Sequence, residues 1–313
     1  MSDQLELWPE EAPGERLSWS WSRDQRLRAC ARRYYLHHFG SRGGFEPGAP
    51  RAAREAYVLR NLQTRHMWVG KVVHELIELT LGAWRRGERV DLDGLVERGT
   101  RRMRAQYAES IQGVYWERPH AACGLLEHEY GEPIPRQEWQ AQRDRMERCV
   151  RAFFALPIVG DIQRMPPWRW LSVEALGSFD LDGASVVVRP DLAWRNASGR
   201  VVIVDWKTGR PRPEDERLQL ATYGLYARRN WGVGDDGLTA LVVHLDADEG
   251  AGHVTELALG LADLAAAEAQ ARASVAAMRA LASGGGSPDP ERFAMTDDRD
   301  RCRLCVFRRL CGR

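Results

Sequence analysis

Lysine is almost missing from this chain: among its 45 lysine and arginine residues, only Lys71 and Lys207 are lysine. Arginine is used wherever either cation serves. A position that keeps lysine therefore points to a need for a compact ammonium whose pKa can shift, which a planar guanidinium that stays protonated does not meet; chance placement gives the same count. Long apolar runs are also missing. None approaches the roughly 20 residues needed to cross a bilayer, and the acidic N-terminus, with Trp8, Pro9 and Pro13, does not read as a signal peptide, so no membrane partner is expected. Six cysteines in 313 residues do not make a secreted disulfide scaffold, and a reducing cytoplasm is the expected compartment. The net charge of +1 excludes a uniformly basic surface but leaves room for a local basic groove.

What is present, 44% hydrophobic and 28% charged residues, suits a globular protein with a substantial core. The most informative stretch runs from Val186 to Gly209. Val186-Val187-Val188 and Val201-Val202-Ile203-Val204 are β-branched runs separated by the turn-forming Asn196-Ala197-Ser198-Gly199, so a hairpin is expected. Side chains alternate along a strand, which puts Asp205 and Lys207 on one face and Trp206 on the other. Asp191, following Pro190, would close the first strand beside Asp205. Two such carboxylates suit Mg²⁺ or Mn²⁺, which can bridge a scissile phosphate and lower the pKa of an attacking water, while Lys207 orients that water or stabilises the developing charge. An Asp-x-Lys triplet alone equally describes a surface ion pair.

The rest of the chain can be placed around this stretch. Residues 1–18 form a polar lead-in, and the serines of Ser18-Trp19-Ser20-Trp21-Ser22 can cap a helix from Asp24 to about His38, with Cys30 in its middle. Residues 40–53 read as a loop. A helix from about Leu62 to Trp84 carries an apolar stripe that contains His74, either a hydrogen-bonded core residue or a ligand, and Lys71, either a phosphate contact or a solvated cation. Residues 85–165 hold two helices, about 92–111 and 138–156, as an insertion; Arg98, Arg101, Arg102 and Arg104 give the first a solvated charged face or a DNA contact. A strand over about 170–180 contains Glu174, a site carboxylate or strand decoration. A helix from Asp215 to Asn230 puts Gln219 and Tyr223 one turn apart, strands follow at about 238–246 and 253–259, and an alanine-rich helix spans about 261–282. Ser283 to Pro288 is a linker, leaving 283–313 as a tail with Cys302, Cys305 and Cys311. Three thiolates are one short of the four that zinc or a cubane cluster takes; Cys30 is the natural fourth, and free thiols are the remaining reading. Cys123 and Cys149 match no ligand spacing.

Pro190-Asp191 followed by Asp205-Trp206-Lys207 resembles the PD-(D/E)XK nuclease superfamily, and its RecB-like branch in particular. Gly70-Lys71-Val72-Val73-His74 fits the branch's G-x-x-x-H, Gln219-Leu220-Ala221-Thr222-Tyr223 its Q-x-x-x-Y, and Cys30-Ala31-Arg32-Arg33-Tyr34-Tyr35-Leu36 its opening C-x-R-x-Y-x-L. Cys30, Cys302, Cys305 and Cys311 are similar to the iron–sulfur staple of AddB-type and CRISPR-associated relatives. The resemblance implies an α/β restriction-endonuclease-like core, a mixed central sheet flanked by helices, in a single domain over 19–313 with a helical insertion and a [4Fe–4S] staple, zinc being the alternative. It implies a catalytic set of Asp191, Asp205, Lys207, Gln219 and Tyr223, with His74, Asp191 and Asp205 on Mg²⁺ or Mn²⁺. Expected activity is hydrolysis of DNA, as an exonuclease on single strands or duplex ends in repair, recombination or defence, with a helicase among possible partners. The rivals are a DNA-binding scaffold subunit and a phosphodiesterase acting on RNA. Arg26, Arg32, Arg33, Arg299, Arg301, Arg303, Arg308 and Arg309 would converge on the cysteine group, either as a DNA-facing rim or only to neutralise thiolates.

Overall fold

The computed structural model describes residues 16–234, 237–247, 252–283 and 287–313. Most of the lead-in and the glycines of the 283–288 linker lie outside the described residues. The chain opens with a short strand β1 (Ser18–Trp19), and Ser20 caps helix α1 (Trp21–Ala29) by accepting the Arg23 N–H. Cys30 does not lie in mid-helix: it is fully extended, with φ −170°, and separates α1 from α2 (Ala31–Tyr35). A π-helical turn, Leu36–Gly40, follows, and then α3 (Arg51–Arg60), a helix where a loop was expected up to residue 53.

Thr64 caps α4 (Arg65–Arg85), and Asp91 caps α5 (Leu92–Ile111) by accepting the Gly94 N–H. A short α6 (Leu126–Glu129) leads to α7 (Arg136–Ala155) and α8 (Pro157–Gln163). The stretch expected as one strand over 170–180 is two, β2 (Trp170–Val173) and β3 (Gly177–Leu181), in different sheets. Next come β4 (Ala184–Val188), β5 (Leu192–Arg195) and β6 (Val201–Lys207). Helix α9 (Pro213–Asn230) crosses to β7 (Leu238–His244), parallel to β6, and β8 (His253–Leu257), α10 (Leu261–Ala282) and a short α11 (Arg299–Arg303) complete the fold.

The main sheet has the order β2-β5-β6-β7-β8, and the smaller one β1-β4-β3. The expected hairpin between 186–188 and 201–204 does not form. Asp182 and Gly183 both adopt positive φ, 50° and 75°, which suits a two-residue turn and pairs β4 with β3 instead. The chain then passes Pro190 into the other sheet, where β5 pairs with β6 in the register Leu192↔Val204 to Arg195↔Val201. Asn196 Oδ1 stabilises that turn by accepting the Ser198 and Arg200 N–H groups. Asp191 therefore stands one step beyond the ladder, level with Asp205.

Alternation along the strands divides the interior. Leu192, Trp194, Val202, Val204 and Trp206 face a core shared with α4, α5 and α7, while Ala193, Val201 and Ile203 face one shared with α9, α10 and the smaller sheet. Leu95, Met103, Met146 and Phe153 place the helices of 85–165 within the first core. Cys123 and Cys149 are buried there. A third cluster joins Val58, Leu59 and Leu62 to Val306 and Phe307 of the tail. Among the described residues, no helix is long and apolar enough to cross a membrane.

Candidate metal centre

Strand β6 ends by delivering Asp205 and Lys207 to one face, with Trp206 on the other against the Phe153 ring at 5.2 Å. The Asp191 carboxylate is fixed from the backbone: Trp206 N–H donates to its Oδ2 at 2.7 Å. Lys207 Nζ lies 2.6 Å from Asp205 Oδ2 and donates to Gln219 Oε1 at 2.9 Å. The Gln219 amide in turn donates to Asp205 Oδ1 at 3.1 Å and to Tyr223 Oη at 2.9 Å. Gln219 and Tyr223 meet the strand because they are one turn apart on α9, whose first turn is acidic and complements the helix dipole. Burial works against the Lys207 ammonium, but Asp205, Asp191 and Glu216 outweigh it and raise its pKa, so it stays charged. Burial, together with Asp205 and Asp191, holds the Tyr223 phenol far above its usual range, so it stays protonated.

Helix α4 supplies the opposite wall. A Cβ on Gly70 would stand 2.9 Å from Thr208 Oγ1, so the glycine lets the segment after β6 approach the helix. One turn later, His74 Nδ1 lies 3.4 Å from Glu174 Oε1 and 3.6 Å from Asp191 Oδ1. Among the described residues, His74, Glu174 and Asp191 offer ligand atoms all within 4.8 Å of one another. Burial alone would lower the His74 pKa; Asp191 and Glu174 override it and raise it to about 9. Burial pushes the Asp191 carboxyl well above the usual carboxylate range, with His74 opposing and Glu174 and Asp205 reinforcing the shift. Carboxylates crowded in a poorly solvated pocket repel each other, and a divalent cation relieves that repulsion directly. The oxygen-rich donor set with one imidazole suits Mg²⁺ or Mn²⁺.

Glu174 is the member that sequence reasoning left open. It follows β2 with φ 48°, its N–H donates to Asp191 O at 3.1 Å, and Arg189 Nε contacts both its carbonyl (2.9 Å) and its Oε2 (3.1 Å). Its signal in the sequence was only an acid within a single expected strand, which the structure ends at Val173. Lys71 lines the same cleft, of about 790 Å³, as His74 and Lys207. Of the α5 arginines, Arg101 pairs with Glu97 and Arg102 with Glu75, as in an ion-paired helix face.

Cys30 and the tail cysteines come from opposite ends of the chain, and the structure draws those ends together. Arg32 N–H donates to Ala294 O at 3.0 Å and Arg32 Nε to Phe293 O at 3.0 Å, across 261 positions. The extended backbone at Cys30 turns its thiol toward the same carbonyl, Ala294 O, at 4.0 Å. Burial raises the Cys311 thiol to about 11, and Cys305, Cys30 and Cys302 each add to the shift. Tyr130 Oη donates to Val306 O at 2.7 Å, Arg308 pairs with Glu132 at 2.9 Å, and Arg309 pairs with Glu55 at 2.6 Å and with Glu129. Arg308 and Arg309 thus pin the tail to the helical region, a role outside both expected readings. Arg301 and Arg303 pair within their own helix, with Asp298 and Asp300.

A family model described as the PD-(D/E)XK nuclease superfamily matches residues 18–312. No curated protein matches the chain. A solved structure described as "Crystal structure of SSO0001" is similar at 16% identity and a TM-score of 0.31, over 59% of this chain and 77% of the other.

Proposed function

The chain belongs to the PD-(D/E)XK nuclease superfamily, and we propose that it is a metal-dependent deoxyribonuclease of the RecB-like kind that trims DNA strands from their ends. The gathering of His74, Glu174 and Asp191 within 4.8 Å, beside the Asp205–Lys207 pair, carries this reading. His74, Asp191 and Asp205 would hold Mg²⁺ or Mn²⁺, with Glu174 completing the set. Bound there, such an ion would supply polarisation of the phosphate and a lower pKa for the attacking water.

The chain's own groups supply the rest. Trp206 N–H fixes one Asp191 oxygen and leaves the other toward His74. Lys207, a cation held between Asp205 and Gln219, is placed to donate to the water or to the phosphate oxygen on which charge builds. Gln219 sets the distance between ammonium and carboxylate, and Tyr223 fixes the Gln219 amide from behind.

Cys30, Cys302, Cys305 and Cys311 form the proposed [4Fe–4S] site, zinc being the alternative. The approach of the two chain ends and the mutual influence of the four thiols support it. The test is cleavage of end-labelled single-stranded DNA, duplex DNA and RNA of one sequence with Mg²⁺, Mn²⁺ or chelator. Metal-dependent shortening of DNA from an end is expected; cleavage of RNA alone, or no cleavage of any substrate, would refute the reading.

A further inference from the structure

Behind the metal centre, on the face of the sheet that α9 covers, lies a buried polar pair that no step of the reaction uses. Parallel pairing sets Lys207 of β6 level with His244 of β7, so both side chains leave the same face of the sheet, and Leu245 N–H ties the two strand ends by donating to Lys207 O at 2.8 Å. On α9, Glu216, Gln219 and Tyr223 stand at i, i+3 and i+7, one stripe turned toward those strand ends. Gln219 meets Lys207 and Asp205, and Glu216 meets His244, whose Nε2 lies 3.1 Å from Glu216 Oε1. The helix is thus held to the sheet at two polar points one turn apart.

Both members of the second point are buried, His244 at 5% and Glu216 at 7% relative exposure, and neither lines the cleft. Glu216 Oε1 also accepts the Arg212 N–H at 2.9 Å, so one carboxylate joins the backbone ahead of α9, the helix itself and β7. Nearby, α9 packs through Leu220, Ala221 and Ala227, apolar side chains that fill space but set no fine register. A hydrogen bond between buried groups does set one, because sliding leaves a buried donor or acceptor without its partner. That precision matters one turn further on. The single Gln219 amide accepts from Lys207 at 2.9 Å and donates to Asp205 at 3.1 Å and Tyr223 at 2.9 Å, three contacts that a slide of α9 by about half an ångström can break. Glu216 also adds to Asp205 and Asp191 in favouring the Lys207 ammonium.

We infer that the Glu216–His244 pair is a positioning device: it fixes the register of α9 on β6 and β7 and, through α9, the place of Gln219 between Lys207 and Asp205. The inference rests on the nuclease reading above, whose site it supports from behind without touching substrate or metal.

The test compares wild type with His244→Phe, which fills the space but removes the donor, His244→Gln, which keeps a donor, and His244→Phe/Glu216→Leu, which makes both partners apolar. Each is measured for steady-state cleavage of an end-labelled single strand in Mn²⁺, for melting temperature, and for the ¹³C spectrum of protein labelled at lysine Cε. Only Lys71 and Lys207 contribute to that spectrum, and Lys71→Arg tells them apart. His244→Phe should lower kcat about 10-fold or more with KM for the strand within about 2-fold, and His244→Gln should recover most of the loss. The double variant should melt nearer to wild type than His244→Phe does, since the exposed Arg212 can give its N–H to water and no buried side chain lacks a partner, yet it should stay slow because nothing directional replaces the pair. The Lys207 signal should move in both of these variants while the Lys71 signal stays. Wild-type kcat in His244→Phe, cleavage that recovers together with melting in the double variant, or an unmoved Lys207 signal overturns the positioning role alone. Wild type that neither binds Mn²⁺ nor cleaves the strand overturns the nuclease reading, and the Lys207 signal then still decides whether the pair holds the lysine's surroundings in place.

Discussion

Lys207 sits 2.6 Å from Asp205 and 2.9 Å from Gln219, a slot sized for an ammonium. A guanidinium there would lose one of these contacts or push α9 outward, so Lys207→Arg should cut DNA cleavage about 100-fold while leaving Mn²⁺ affinity within a few-fold. Wild-type rates in that variant would show that charge alone suffices. Glu174→Gln keeps shape and backbone demands but removes a charge next to His74 and Asp191. Mn²⁺ affinity measured by calorimetry should fall roughly 10-fold, and an unchanged affinity would remove Glu174 from the metal set. Lys207 and Asp205 were legible because strand alternation is strict and lysine is scarce. Glu174 was not, because its left-handed backbone is imposed by its Arg189 and Asp191 contacts and leaves no pattern in the sequence.

Among the elements, α4 positions the site through the close approach at Gly70. Gly70→Val would drive a branched side chain into Thr208, at a cost of about 1–3 kcal/mol, and shift the segment that follows Lys207. Thermal denaturation should show the loss of stability, and cleavage should fall further than stability accounts for; a variant with native melting and native activity would show the approach to be incidental. Helices α4, α5, α7, α9 and α10 were readable from periodicity and caps. Helix α3 was hidden, since it starts behind Pro50 with no side-chain cap at the end of a glycine-rich loop. The Asn196–Gly199 turn joins β5 and not β4 to β6, because Asp182-Gly183, the stronger hairpin signal, decides where β4 goes. The break at Cys30 depends on the tail, where Ala294 takes the Arg32 N–H, and so was beyond local propensity.

For the molecule as a whole, the tail joins the two chain ends and covers the third hydrophobic cluster through Val306 and Phe307. Loss of Arg309, which answers Glu55 and Glu129, leaves two acids without their cation, so Arg309→Ala should lower the melting temperature by several degrees, corresponding to about 1–2 kcal/mol. Protein purified without oxygen should be brown and hold iron and sulfide near four each per chain; a colourless protein with stoichiometric zinc would replace the cluster by the alternative metal. Cys123 and Cys149, whose thiols burial raises to about 12, should resist alkylation at pH 8 until the chain unfolds.

Across these scales one claim is central: the pocket of His74, Glu174, Asp191 and Asp205 binds the divalent cation that cleavage requires. The most direct measurement is the rate of cleavage of an end-labelled single strand as a function of Mn²⁺ concentration, for wild type and for Asp205→Ala of native circular dichroism. The expected result is a saturable metal dependence in wild type and a rate about 1,000-fold lower in the variant, as loss of several kcal/mol of charge stabilisation implies. Cleavage that needs no metal, or that survives in Asp205→Ala at the wild-type rate, would contradict it.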